Sequence, residues 1–485
     1  AGLYKADVWN ALRSKPSEKY LEDPNYFDSV ERVIDVRVPT TTINLSGVDY
    51  QPGSVAIVPT DQPEFRFIES LMQRRQTFKE NIFYDVSAWT ASLALDVDVT
   101  EWISDVPAAW IQRAKPVAIA TPDFANKNII GLSIDPTSLT APRLVSKLLR
   151  SGVQVRVTYD PFTAKGLGGR SVSVRRGSWL VMKATDPEKW GVVVDQVSDA
   201  MKDGSLVVDA MTKGLTPFGP DLGSNGHRVI PNPELLLVTG EGTSSLDSGS
   251  IWHTLDTRWE MPVTLVDAGD LGGVDLGEFT CVILPSGSYR EWDANVQSKI
   301  ESYVSGGGTV VGVGSAIGWL KRNGLVADRD SGGTERSASD AKRTFAGASD
   351  RAALQRIAGA IFETNADRTH PLAFGFPDES IPVFRTSTTR HALPANPLSV
   401  AAKYTEVLAG YVSTTNRKRL SGTAAVWAEN QGSGRVICIA DSPTFRGYFR
   451  SPERFLSNAI LLGPTLRIPT DAGEDAEMDG HHHHD

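Results

Sequence analysis

Cysteine is nearly absent from this chain. The two present, Cys281 and Cys438, each sit inside an apolar run (FTCVILP and RVICIAD). Two thiols are too few for a cysteine-ligated zinc site, and buried core thiols are the simpler reading than a disulfide. Histidine is scarce too: there are eight, four of them in the terminal HHHH. Positive charge is outnumbered, with 49 Lys and Arg against 58 Asp and Glu, a net charge of -9 and a pI near 5.5. That argues against a large basic footprint for nucleic acid. No apolar run approaches the roughly 20 residues that span a bilayer. The opening AGLYKADVWNALRSKP lacks the apolar core of a signal peptide; a mature or excised chain reads the same way, so compartment stays open. What remains is an ordinary globular composition, 40% hydrophobic and 22% charged over 485 residues, with room for about two to four domains.

Five stretches follow from the pattern. Residues 1–35 are polar, with a short helical string at ADVWNALRS, and form a lead-in. Residues 36–115 form a small α/β unit: strand-like RVPTTTINL and GSVAIVPT, then a helix at PEFRFIESLMQRR, whose Phe65, Ile68, Leu71 and Met72 recur at helical spacing. Residues 116–230 form a second α/β unit. In it PVAIATPD, APRLVSKLLRSG and VQVRVTYDPF predict strand, helix and strand, hence a parallel βαβ pair. RGSWLVMKATDPEKWGVVVDQVSDAM (176–201) weakly repeats PGSVAIVPTDQPEFRFIESLM (52–72). In each copy an aspartate, Asp61 or Asp186, precedes a proline-started helix and reads as a cap. Residues 231–470 alternate strands and helices so regularly that a doubly wound, mainly parallel sheet is expected. RLSGTAAVWAENQGSGRVICIAD closes it as a hairpin, and PERFLSNAILLG as a covering helix. Within this unit 325–350 is polar and small, a loop. Residues 471–485 form an acidic tail, predicted to be disordered. Its His481, His482, His483 and His484 are either a tag or a native tract able to hold zinc, copper or nickel loosely.

In such a sheet ligands bind beyond the carboxyl ends of the strands, at the switch point. Three strand ends there are polar: LPSGSY with Ser286, GVGSA with Gly314 and Ser315, and ADSPTFRG with Asp441, Ser442 and Arg446. If these strands are neighbours, their loops converge on one crevice. GGGTVVGVGSAIGWL (306–320) has the strand–turn–helix layout of a nucleophile elbow, without a cysteine or a Gly-x-Ser-x-Gly. Ser315 reads first as the N-cap of the following helix. As a nucleophile it needs a general base, and His227, His253, His370 and His391 offer none at a recognisable spacing. As a dinucleotide loop GVGSAIG is off by one and lacks the downstream acid. The nearest thing to a metal-binding pair, His253 with Asp256, has no partner histidine.

Several strings together, among them GSVAIVPTDQPEFRFIESLM, NIFYDVSAWTASLAL, TGEGTSSLDSGSIWHTLDTRWEMPVTLVD, VILPSGSY, THPLAFGF, VFRTSTT and ADSPTFRGYFRSPERFLSNAILLGP, resemble the C-terminal half of large bacterial zinc carboxypeptidase-family proteins. The resemblance covers most of residues 36–468. It implies a class I glutamine amidotransferase-like C-terminal domain, here with Gly314 or Ser315 where true amidotransferases carry cysteine. It places the zinc ligands and the catalytic glutamate in an upstream domain, so no zinc or other cofactor is expected in the folded body. It implies a non-catalytic accessory region or subunit of an exported, periplasmic or secreted peptidase, supporting a catalytic domain or chain, oligomerising or binding peptide. FYDVSAW (83–89) reads as a docking element, with Asp85 free to reach a partner. Two other readings stay open: an amide or ester hydrolase using Ser315 with Asp441 or a histidine assisting, and a crevice at Ser286, Ser315 and Arg446 that binds a small anion or glycan.

Overall fold

Short apolar runs punctuated by glycine and proline become strands throughout. The computed structural model describes residues 36–45, 48–50, 55–60, 62, 65–78, 87–99, 111–113, 122–202, 204–329, 345 and 348–470. The N-terminal helical string, Asp61, Asp85, most of the 325–350 loop and His481 to His484 lie outside them.

In the first unit β1 (Arg37–Pro39) pairs antiparallel with β4 (Ile111–Arg113), and β2 (Ile43–Leu45) with β3 (Val48–Tyr50). The string GSVAIVPT contributes one bridge, Ile57 to Arg37. Helix α1 (Phe65–Met72) forms where its periodicity predicts and buries Ile68 with Val36. The chain then docks on the C-terminal sheet. Gln76 Nε2 donates to Val407 O at 2.7 Å, and Gly410 N to Arg75 O at 2.7 Å. Short helix α2 (Ala91–Ala94) packs Leu93 and Ala94 into a cluster with Ile361, Phe384 and Phe449.

The middle unit runs β5 (Gly131–Ile134), α3 (Ala141–Arg150), β6 (Val155–Thr158), the hairpin β7 (Phe162–Lys165) and β8 (Ser171–Val174), β9 (Trp179–Met182), α4 (Trp190–Ala200), β10 (Val208–Met211) and β11 (His227–Val229). Its sheet order is β10-β5-β9-β6-β11, with every neighbouring pair antiparallel. The string PVAIATPD, expected as the first strand of a direct parallel pair, lies mostly outside the described residues; the strand that precedes α3 is β5, and it does not pair directly with β6. β5 and β6 run the same way, but β9 lies between them. The chain returns through the β7–β8 hairpin and drops β9, whose Trp179, Leu180 and Val181 are buried, into the gap that α3 leaves. β5-α3-β6 and β9-α4-β10 interlock as two split βαβ halves, the ferredoxin-like arrangement. Asp186 does not cap α4. Its Oδ2 accepts from Gln154 N at 2.8 Å and anchors the start of β6.

The C-terminal unit holds β12 (Leu235–Thr239), α5 (Ser245–His253), β13 (Thr264–Asp267), β14 (Cys281–Leu284), α6 (Ala294–Ser305), β15 (Thr309–Val313), α7 (Ala316–Arg322), α8 (Ala348–Gln355), β16 (Ala360–Ala366), β17 (Ser380–Arg385), β18 (Val400–Ala409), α9 (Thr414–Leu420), β19 (Ala424–Gln431), β20 (Gly434–Ile439) and α10 (Glu453–Leu462). They build one sheet of nine strands, β13-β12-β14-β15-β20-β19-β18-β16-β17. The first five are parallel, and in chain order read 2-1-3-4-5, the flavodoxin-like doubly wound order. The other four continue antiparallel from the predicted β19–β20 hairpin. Cys281 and Cys438 are buried free thiols separated by β15, and burial pushes Cys281 up to about 12. One apolar core runs through the middle and C-terminal sheets. At their junction Arg454 of α10 donates to the carbonyls of Pro136 and Thr137, and Gly375 leaves no room for a Cβ beside Pro136 O. Among the described residues no helix is long and apolar enough to cross a membrane.

Candidate functional site

The strand order reverses between β12 and β14, so the loops after these strands frame the switch point. They are zipped together by backbone. Ser244 N donates to Ser286 O at 2.6 Å, Ser288 N to Gly242 O at 2.8 Å, and Thr243 bridges Gly287. Beside them β15 ends in the elbow. Gly314 takes φ +56°, a left-handed conformation that an L side chain resists. A Cβ there would stand 2.1 Å from Ser286 Oγ.

Ser315 follows at the N-cap position of α7, but its hydroxyl does not cap. Its backbone is already helical (φ −71°, ψ −14°), whereas a capping residue is extended. The hydroxyl turns sideways instead: it donates to Gly287 O at 3.1 Å and accepts from Gly287 N at 2.9 Å. Both its bonds within the described residues are to one backbone unit. The loop is further pinned by Arg322, which donates to Ser288 O at 3.3 Å. Tyr289, with φ +49°, packs its ring against Trp292 and Trp319.

Ser286, Gly314 and Ser315 meet in the crevice; Asp441 and Arg446 follow β20, the strand beside β15, and their side chains are engaged by other partners. Asp441 is buried: Oδ1 accepts from Arg385 Nη1 at 3.0 Å, and Oδ2 from the Tyr404 hydroxyl at 2.5 Å. Burial pushes its carboxyl upward while Arg385 and the Tyr404 hydrogen bond pull it down. With both oxygens accepting, one of them from a guanidinium, the geometry is that of an ionised pair. A cavity of about 10 Å³ beside Asp441, Ser442 and Tyr404 has room for one water molecule and no substrate. Arg446, at φ +52°, lies over the rings of Trp89 and Phe445, where the N-terminal segment docks. A second ionic cluster holds α10: Glu453, fully buried, receives Arg258 and Arg450. Arg258 reaches it from a π turn, Thr254–Arg258, that extends α5.

The histidines are dispersed. His227 shares a hydrogen bond of 3.0 Å with Asp221 O. His253 is exposed at the end of α5, and Asp256 lies beyond it in the π turn. His370 Nδ1 accepts from Leu372 N at 3.1 Å, and burial lowers its imidazole to about 4. His391 packs on Trp427. Among the described residues no three His, Cys, Asp or Glu side chains converge as a metal site.

Sequence reading missed Arg385 and Tyr404. The signal was present: VFR ends an apolar strand on an arginine, and a cation that closes a buried run needs a partner.

No family model and no curated protein matches the chain. Solved structures with some likeness include a ThuA-like protein from Parabacteroides merdae (16% identity, 49% of this chain, 93% of that one, TM-score 0.28). A cytoplasmic protein from Salmonella typhimurium gives 11%, 47%, 97% and 0.28. A β-galactosidase from Bacillus circulans gives 13%, 49%, 32% and 0.25. Likeness at this level assigns neither activity nor ligand. The α/β fold rests on the strand order itself.

Proposed function

We propose that this chain is a non-catalytic accessory region or subunit of an exported zinc carboxypeptidase-like peptidase, and that its amidotransferase-like layer is a scaffold whose elbow has no chemistry. The observation that carries this is the closure of the Ser315 hydroxyl on Gly287 N and O. A nucleophilic serine needs its proton directed at a base, and here that proton is given to a carbonyl. The one carboxylate near the strand ends that sequence reading offered as a base, Asp441, is already engaged by Arg385 and Tyr404. The family resemblance supplies the peptidase context and the periplasmic or secreted setting. The role is to hold a catalytic domain or chain, to oligomerise or to bind peptide.

The test is a two-part assay. Purified chain incubated with peptides and zinc should release no C-terminal residue, and should bind a separately expressed zinc carboxypeptidase domain in sedimentation velocity. Zinc-dependent release by this chain alone, abolished by chelator, would overturn the proposal.

A further inference from the structure

The string VFRTSTT is not used by the crevice. It ends β17 at Arg385 and opens the hydroxyl-rich loop 386–390. Two arginines brace that loop by consecutive carbonyls: Arg385 Nη2 donates to Thr389 O and Arg419 Nη2, from the last turn of α9, to Thr388 O. Ser387 Oγ accepts from Thr389 N and donates to Thr389 Oγ1, each at 3.0 Å, which folds the loop into a tight hydroxyl turn. The charge here is one-sided. Two guanidiniums, Arg385 and Arg390, stand close enough to act on Arg419, in a chain whose net charge is -9. Asp441 serves Arg385 from beneath. Among the described residues Arg419 bonds only neutral groups, Thr388 O and Asn416 Oδ1. Burial, then the neighbouring guanidiniums Arg385 and Arg390, push its own guanidinium down, as expected where like charges crowd. Such crowding costs free energy that an anion would offset. Arginine forks with clustered hydroxyls match the oxygens of a tetrahedral anion.

We propose that loop 386–390 and the last turn of α9 bind a small tetrahedral oxyanion: phosphate or sulfate, free or as the phosphoryl or sulfo group of a larger molecule. The site lies apart from Ser315 and does not depend on the reading of the elbow.

Isothermal titration of the full chain with inorganic phosphate, sulfate and methyl phosphate, each against chloride at matched ionic strength, tests it. Saturable binding is expected, weakened about tenfold or more in R419Q, since a hydrogen bond to a charged group is worth ~1.5–3 kcal/mol. The neighbouring K418Q should stay within about twofold. R419K, which keeps the charge but loses the fork, should fall between. It gives a second reading if R419Q loosens the loop, as far-ultraviolet dichroism would show. Tighter binding of methyl phosphate than of phosphate assigns the site to a group on a larger molecule, and the reverse assigns it to the free ion. No saturable heat, an equal effect of chloride, or unchanged affinity in both Arg419 variants overturns the proposal.

Discussion

Gly314 shows how much one residue type can fix. Its φ of +56° and its contact with Ser286 leave no place for a side chain. G314A should cost about 1–3 kcal/mol in chemical denaturation, and S286G in the same chain should recover part of it by removing the clash. Two groups, one half-buried and one buried, contribute to the pH profile at opposite ends. Asp96 is raised to about 7, by burial first and then by Asp378, with Arg454 opposing and Asp98 adding. A carboxyl raised in the fold keeps its proton longer than in the unfolded chain. Stability is therefore greatest below its ordinary value near 4 and falls as pH rises through 7. D96N removes that loss. Its advantage over the parent should grow between pH 4 and 7 to about 2 kcal/mol, after discounting for the part of the side chain still in solvent. His370 acts at the acid end. It is lowered to about 4, so the fold holds it neutral, and stability is intact above its ordinary 6.5 and lost as pH falls toward 4. H370Q should flatten that acid limb in urea titrations at pH 5 and pH 7. At this scale the sequence was legible where geometry is local. The glycine turn at 314 could be read. The Ser315 hydroxyl could not, because its partner Gly287 lies on another strand's loop.

Elements were legible where periodicity and punctuation are strong. Helices α1 and α10 and the β19–β20 hairpin stand where apolar spacing and turn residues put them. Strand order was not, because it depends on contacts between distant segments. The pattern strand–helix–strand fits both a direct parallel pair and one opened by a third strand, and only β9 decides between them. The polar groups that hold elements together were equally hidden. Glu453 lies in a helix read only as a cover for the sheet, and it joins α10 to the π turn through Arg258 and Arg450. E453Q removes the buried carboxylate that Arg258 and Arg450 share and should cost about 3 kcal/mol or more. Arg454 clamps the middle sheet through Pro136 and Thr137. R454M should speed hydrogen exchange in β5 and α3 before it affects β12 to β15.

The whole molecule is two α/β sheets sharing one core, with an N-terminal segment laid along the larger of them. The loops at its switch point are joined by backbone bonds, its candidate base is engaged by a buried arginine, and its histidines lie apart. These arrangements support the proposed scaffold role. The most direct test of that claim is intact-mass spectrometry of the full chain after incubation with a fluorophosphonate probe. We predict no adduct, and identical behaviour of S315A. A stoichiometric adduct that maps to Ser315 and disappears in S315A would contradict it.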